Sequence, residues 1–297
     1  MSLAKQNAKT AHFYTMDGLR GVAAVMVVIF HRRFWIPGFE HWHGYLAVDF
    51  FFILSGFVIG HAYGERLASG RMSMLDFVIA RVIRLYPLIF LGAVLGTLGL
   101  VIEGIEKSWL GLVVRALVAM PLAILALPQP FLDLPFSTNQ PVWSLFFEII
   151  ANLAYVALIP RLSTRTIAVA TAGLGIALAA MLASSGEMNF GYEWSTMGQG
   201  LMRVAFPFTF GVLIQRLFAA GRLYVPGLPA WVLAPLLIGL LSVPVQGTKL
   251  YEMLFTILTV FILFPFLVAS ASNDKPSNFW MNISKISAYI SYPIQST

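Results

Sequence analysis

The chain has 297 residues, of which 59% are hydrophobic and only 11% charged, with a net charge of +6 and no cysteine. A soluble domain carries about 25% charged residues. A mean hydropathy of +0.81 therefore marks an integral membrane protein with no room for a sizeable soluble domain. The lack of cysteine excludes disulfides, thiolate nucleophiles and cysteine-based metal sites. Basic residues are scattered among apolar runs and form no stripe, which argues against nucleic-acid binding.

The N-terminal MSLAKQNAKTAHFYTMDG is a short polar lead, without the separate apolar core and small-residue cleavage site of a signal peptide. The first apolar helix is expected to be retained. A bilayer core of about 30 Å takes about 20 helical residues. Segments of that kind lie at 17–36, 45–63, 77–101, 141–160, 166–184, 199–218, 227–244 and 250–271. The stretch 109–127 is apolar but broken by Arg115 and Pro121, and a last apolar segment begins near 284. The reading is an all-α, polytopic transmembrane helical bundle of about 8–10 spans. It forms a single membrane-embedded domain over 1–297, whose last helices look truncated at Thr297.

Lys5 and Lys9 place the N-terminus in the cytoplasm under the positive-inside rule. Arg66, Arg71, Arg81 and Arg84 then fall on the same side, two spans later. Arg161 with Arg165, Arg216 with Arg222, and Lys275 with Lys285 prefer the inside too, while Arg32 and Arg33 fall outside against the rule. These preferences agree if 109–127 is re-entrant or lies on the outer side. The charge pattern suits a cytoplasmic membrane, inner or plasma.

Arg20 and His31 share one apolar segment, eleven residues apart. Eleven residues are close to three helical turns, so both point to one face, about 16 Å apart along the axis. Ionisable residues inside a membrane helix are costly and usually face a cavity or partner, so this stripe is expected to face inward. His31 is either an interfacial histidine bonded to backbone or water, or a general base or acyl acceptor. Arg20 is too far away to touch it and suits a phosphate anchor. Arg81 and Arg84 form an i, i+3 pair, either positive-inside punctuation or a phosphate clamp. Asp49 either caps the second span or orients His31. Ser55 with Gly56 permits close helix packing or a narrow passage for a substrate arm.

Glu148 is the only acidic residue of its span. It is either a functional acid or the partner of Arg203 or Arg115 in a structural salt bridge. Trp143 reads as part of an interfacial belt. His12, His41, His43 and His61 read as loop or interface residues. No histidine spacing supports a metal, and none is expected.

Four segments together resemble the membrane-bound acyltransferase 3 family: DGLRGVAAVMVVIFH, GYLAVDFFFILSGFVI, ARVIRLYP and VWSLFFEI. They run in the family's order over about 16–160, and ISAYISYPI near 286–294 is similar to its last signature. The chain departs from the pattern after Glu148, where Ile149-Ile150-Ala151-Asn152 stands in place of further polar residues, and after Ile294, where it reads Gln295-Ser296-Thr297 and stops. The resemblance implies transfer of an acyl group, usually acetyl, from cytoplasmic acyl-CoA to a hydroxyl of a carbohydrate or other envelope or exported acceptor. It implies His31 as the catalytic centre, Arg20 as its companion, Glu148 as a second functional acid, and Arg81 and Arg84 as donor-binding residues. Asp49 joins the catalytic set and Ser55 the donor side on the readings above. The partners are then acyl-CoA, a hydroxyl acceptor and the bilayer.

Two other readings remain. Intramembrane Arg, Asp and Glu also line transporter or flippase paths, although no inverted repeat is visible. A non-catalytic scaffold on the same bundle is the third.

Overall fold

The computed structural model describes residues 13–31, 42–186, 188, 190–245 and 247–274, and among them every regular element is helical. In chain order these are α1 (Tyr14–His31), α2 (Ala47–Ala68), α3 (Met74–Glu106), α4 (Leu110–Ile124), α5 (Val142–Leu158), α6 (Thr164–Ser185), α7 (Met197–Ala219), α8 (Ala230–Leu241) and α9 (Lys249–Asn273). A short 3₁₀ turn, His43–Leu46, leads into α2. The protein is a polytopic helical membrane protein, with α2, α3, α5, α6, α7 and α9 long and apolar enough to cross a bilayer.

Local chemistry explains where the boundaries differ from the hydropathy reading. The segment at 77–101 extends to 33 residues as α3, because Ser73 and Asp76 form a reciprocal capping box ahead of it. The segment at 227–244 contracts to the 12 residues of α8. Pro229 sits at its N-cap, and Pro244 follows its end. At about 18 Å, α8 falls short of a 30 Å hydrocarbon core. The stretch 109–127 yields α4, 15 residues or about 22 Å, which folds back along α3 as a helical hairpin. Inside α9, residues Leu258–Leu263 take a π turn just before Pro265. A proline lacks the N–H for the regular ladder, and a π turn absorbs the irregularity. The terminal signature near 286–294, the polar lead, and Arg32, Arg33, His41, Lys275 and Lys285 lie outside the described residues.

The helices group into two compact units. The first contains the described residues of Met1–Arg71, Leu158–Met188 and Ala205–Thr297, hence α1, α2, α6, α8, α9 and the later part of α7. Its core holds Met16, Leu19, Ala23 and Met26 of α1, Phe50, Ile53, Leu54 and Phe57 of α2, and Leu233, Leu237 and Leu241 of α8. The α1 set repeats at helical spacing, and Arg20 falls within that buried stripe. Two glycines let α2 and α7 meet backbone to backbone. A side chain at Gly56 would collide with the Phe208 carbonyl, and one at Gly211 with the Ile53 carbonyl. The small pair Ser55-Gly56 thus serves packing through its glycine.

The second unit contains Met72–Ala157 and Asn189–Val204, hence α3, α4, α5 and the start of α7. The loop after α4 packs on α3, where Gly96 is covered by the Thr138 carbonyl and Gly92 by Asn139. Buried Gln129 closes this loop, donating to the Thr138 hydroxyl at 2.9 Å.

Because a backbone carbonyl cannot swing aside, Gly56→Ala should destabilise the protein by about 1–3 kcal/mol, the range of overpacked interiors. Gly99, with open space around its Cα, is the matched control: Gly99→Ala should leave the melting temperature in detergent unchanged or slightly raised.

Candidate functional site

In the first unit, Arg20 is 9% exposed and lies beside Asp17, Nη1 to Oδ1 3.3 Å. Asp17 and Arg20 stand at i, i+3, so one helical turn supplies the counter-ion for a buried guanidinium. The sequence reading missed Asp17, although DGLR carries the spacing openly. Nearby, Thr15 donates its hydroxyl to Asp274 at 2.5 Å, which joins the start of α1 to the end of α9. Polar pairs therefore stand at the N-terminal end of the helix, Arg20 with Asp17 and Thr15 with Asp274.

His31 ends α1 and is exposed, not turned into the bundle as the shared stripe implied. The reason is position, since the helix stops there and its burial fades over the last turns. Its Nδ1 lies 2.8 Å from the Val27 carbonyl. A carbonyl only accepts, so Nδ1 carries the proton and Nε2 is left as the basic nitrogen in the neutral ring. Val27 lies one turn before His31, so the bond is made within α1 itself. Val27, rather than Asp49, thus orients Nδ1. Asp49 is fully buried in the first turn of α2. The cap position there belongs to Leu46, which contributes no side-chain bond. Ser55 is buried two turns further along α2.

His43 is not the loop or interface residue expected. It is completely buried, with Nδ1 2.8 Å from the Val243 carbonyl and Nε2 2.7 Å from Glu252 Oε2. This pair ties the turn before α2 to the first turns of α9, with the Phe255 ring packed alongside. Nothing in the sequence joins positions 209 apart.

In the second unit, Arg81 is 7% exposed and donates from Nη2 to Glu148 Oε1 at 2.8 Å. Glu148 thus has Arg81 as a partner, one that the sequence reading did not name. Arg203, 1% exposed, lies over the Trp143 ring, 5.1 Å from its centroid. Arg115 faces Trp109 and Asp133. Trp143 is buried beneath this cation and against Gly191, so it is a packing and cation-binding residue instead of a belt residue. Arg84, one turn after Arg81, is half-buried.

Arg81 also borders a cavity of about 200 Å³ between α3, the end of α4 and α5. Its walls are largely aliphatic, with Phe77, Arg81, Leu85 and Ile89 on one stripe of α3 and Ile149, Asn152 and Leu153 on α5. Asn152 is buried, and neither of its amide atoms has a hydrogen-bond partner among the described residues; the same holds for Arg81 Nε. Also among the described residues, no three His, Asp or Glu side chains gather as metal ligands do.

The chain matches the family model for the acyltransferase 3 family, an acyltransferase domain, over residues 13–294. It belongs to that family. The candidate site residues Arg20, His31, Asp49, Ser55, Arg81, Arg84 and Glu148 lie inside the matched range. A Rhizobium radiobacter protein, protein 2 in the picA locus, is 38% identical over 154 residues, covering 48% of this chain and 80% of the relative. A Bacillus subtilis (strain 168) protein, YrhL, named as a candidate peptidoglycan O-acetyltransferase, is 36% identical over 81 residues. That alignment covers 26% of this chain but 12% of the relative, so the chain spans a small part of YrhL. No solved structure matches.

Removing one partner of a buried ion pair strands the other charge. Glu148→Gln should therefore destabilise the protein by about 3 kcal/mol. Adding Arg81→Met to it should recover much of that loss in thermal unfolding, because the stranded guanidinium is then gone.

Proposed function

We propose that this family member is an O-acyltransferase that moves an acyl group, most simply acetyl, from cytoplasmic acyl-CoA to a hydroxyl of a carbohydrate or other envelope or exported acceptor. The observation that carries the proposal is the state of His31. It is an exposed imidazole at a helix end, with Nδ1 engaged by the Val27 carbonyl and Nε2 left basic. Such a ring is oriented for proton abstraction. The name of YrhL supports oxygen as the acceptor atom and acetyl as the group.

In the direct version of the reaction, Nε2 takes the proton from the acceptor hydroxyl while the oxygen attacks the thioester carbonyl. The tetrahedral intermediate collapses, the carbon–sulfur bond breaks, and the departing thiolate receives the proton from the imidazolium. A ping-pong version, with the acyl group carried briefly on Nε2, uses the same ring as nucleophile. The direct version is favoured because no second nucleophile or relay is visible in the sequence. Arg20 with Asp17 supports the reaction as a buried polar group on the same helix. Asp49 and Ser55, both buried on α2, are further candidates in the same unit. Arg81 and Arg84 belong to donor binding, and Glu148 keeps the Arg81 guanidinium in place. The protein sits in a cytoplasmic membrane with its N-terminus inside, as the distribution of Lys and Arg implies. A transporter or a silent scaffold would consume no thioester.

Purified protein should release free CoA thiol from acetyl-CoA in the presence of a hydroxyl acceptor. His31→Ala should lower that rate by at least about 100-fold, the usual scale of a lost general base. Expression and the melting temperature should stay as in the parent, since the ring is exposed. A normal rate in the purified variant would remove His31 from the mechanism. Recovery of a stable acyl adduct on His31 without acceptor would replace the direct version with the ping-pong one.

A further inference from the structure

The entry to α2 has no side-chain cap. Trp42, ahead of the turn His43–Leu46, and Leu46, ahead of the helix, make no cap bond with their side chains. Such a bond commonly helps fix where a helix begins. Here contacts from far along the chain hold the turn instead. The backbone N–H of His43 and its Nδ1–H both donate to the Val243 carbonyl, at 3.2 and 2.8 Å. Two donors use both lone pairs of that oxygen. With the proton on Nδ1, the neutral ring has a bare Nε2, and this atom faces Glu252 Oε2 at 2.7 Å. Two lone pairs cannot make that contact, so one proton lies between ring and carboxyl. Trp42 adds an antiparallel bridge to Pro244, and the Phe255 ring lies 4.3 Å from the imidazole. The turn is thus fastened to the segment after α8 and to α9.

On its other side the turn meets the end of α1. Gly44 has no side chain, and Phe30 takes the space: a Cβ at Gly44 would stand 2.8 Å from Phe30 Cβ. The Tyr45 ring lies 6.2 Å from the Phe30 ring and 5.8 Å from the His43 ring. Phe30 precedes His31, and these two rings meet edge to face at 5.6 Å. Helix ends fray unless something packs on them. The backbone of a fastened turn, set against Phe30 close to its own backbone, restrains the last turn of α1.

We infer that His43 and Glu252 are positioning residues for His31: through Gly44 and Tyr45, packed on Phe30, they fix the end of α1 and so the place from which the His31 ring acts. This role depends on the catalytic reading of His31 given above and extends it to two residues that take no part in the chemistry. The pair also defines its own conservative change. Glu252 Oε1 has no partner among the described residues. In Glu252→Gln the amide nitrogen still places a proton against Nε2, and the amide oxygen takes the place of Oε1 at no loss. Glu252→Leu removes the contact. Gly44→Ala leaves the pair whole and displaces Phe30, because the obstacle is Phe30 Cβ and not a flexible tip.

The test uses the full chain in detergent, with acetyl-CoA as donor and glycerol as the hydroxyl probe. The His31 ring is followed by NMR on isotope-labelled histidine, its signal assigned by its loss in His31→Ala. Glu252→Leu and Gly44→Ala should each lower kcat by about 10- to 100-fold, the scale of a small misplacement of a reacting group, with KM for acetyl-CoA unchanged. In both variants the His31 signal should shift or split. Glu252→Gln should keep the kcat and the His31 signal of the parent. Gly44→Ala carries the test if Glu252→Leu does not fold, since it strands no buried group. An unmoved His31 signal in the folded disruptive variants would overturn the inference and leave His31 as the catalytic residue. Equal losses in Glu252→Gln and Glu252→Leu would overturn the His43–Glu252 hydrogen bond as the positioning contact. A parent protein that consumes no thioester would overturn the catalytic reading of His31, and this role with it.

Discussion

A guanidinium taken out of water costs several kcal/mol unless a counter-charge and hydrogen bonds accompany it. That constraint organises this molecule. Arg20 and Arg81 are each less than 10% exposed, and each has a carboxylate within reach, Asp17 in one case and Glu148 in the other. The two solutions differ in kind. Asp17 and Arg20 are one turn apart, so the pair is complete within α1 before any packing. Arg81 and Glu148 are 67 positions apart and meet only when α3 and α5 pack together. Arg203 uses a third device, the face of the Trp143 ring.

These pairs also explain why the helices tolerate their charges while remaining apolar elsewhere. The stripe of α1 that holds Arg20 is otherwise Met16, Leu19, Ala23 and Met26, all in the core. Backbone contact at Gly56 and Gly211 brings α2 and α7 as close as two helices approach, so the neighbouring side chains are held firmly. His31 occupies the opposite situation. It ends its helix, faces out, and is oriented by the backbone of its own last turn. One helix thus carries a buried arginine near its start and an exposed imidazole at its end.

Much of this was readable beforehand. The helical membrane class followed from composition, and most helices from runs of about 20 apolar residues. The family followed from four short motifs in order. The contraction of α8 was also open to inspection, because Pro229 and Pro244 bracket it. What hydropathy could not convey was the fate of individual polar residues. Trp143 looked like a belt residue and is buried under a cation; His43 looked like a loop residue and is sealed against Glu252. Hydropathy averages over neighbours in the chain, whereas each of these roles is set by one partner far from it.

The order of residues alone therefore determined the bilayer as solvent, the helices that satisfy their backbones in it, and the polar positions that interrupt them, because all three depend on spacing within about one helical length. Tertiary packing decided which carboxylate neutralises Arg81, which ring covers Arg203, and that Glu252 seals His43. Those outcomes depend on which charges and dipoles come within about 3 Å of each other, and the helices must pack, or at least close their last turn, before such distances exist.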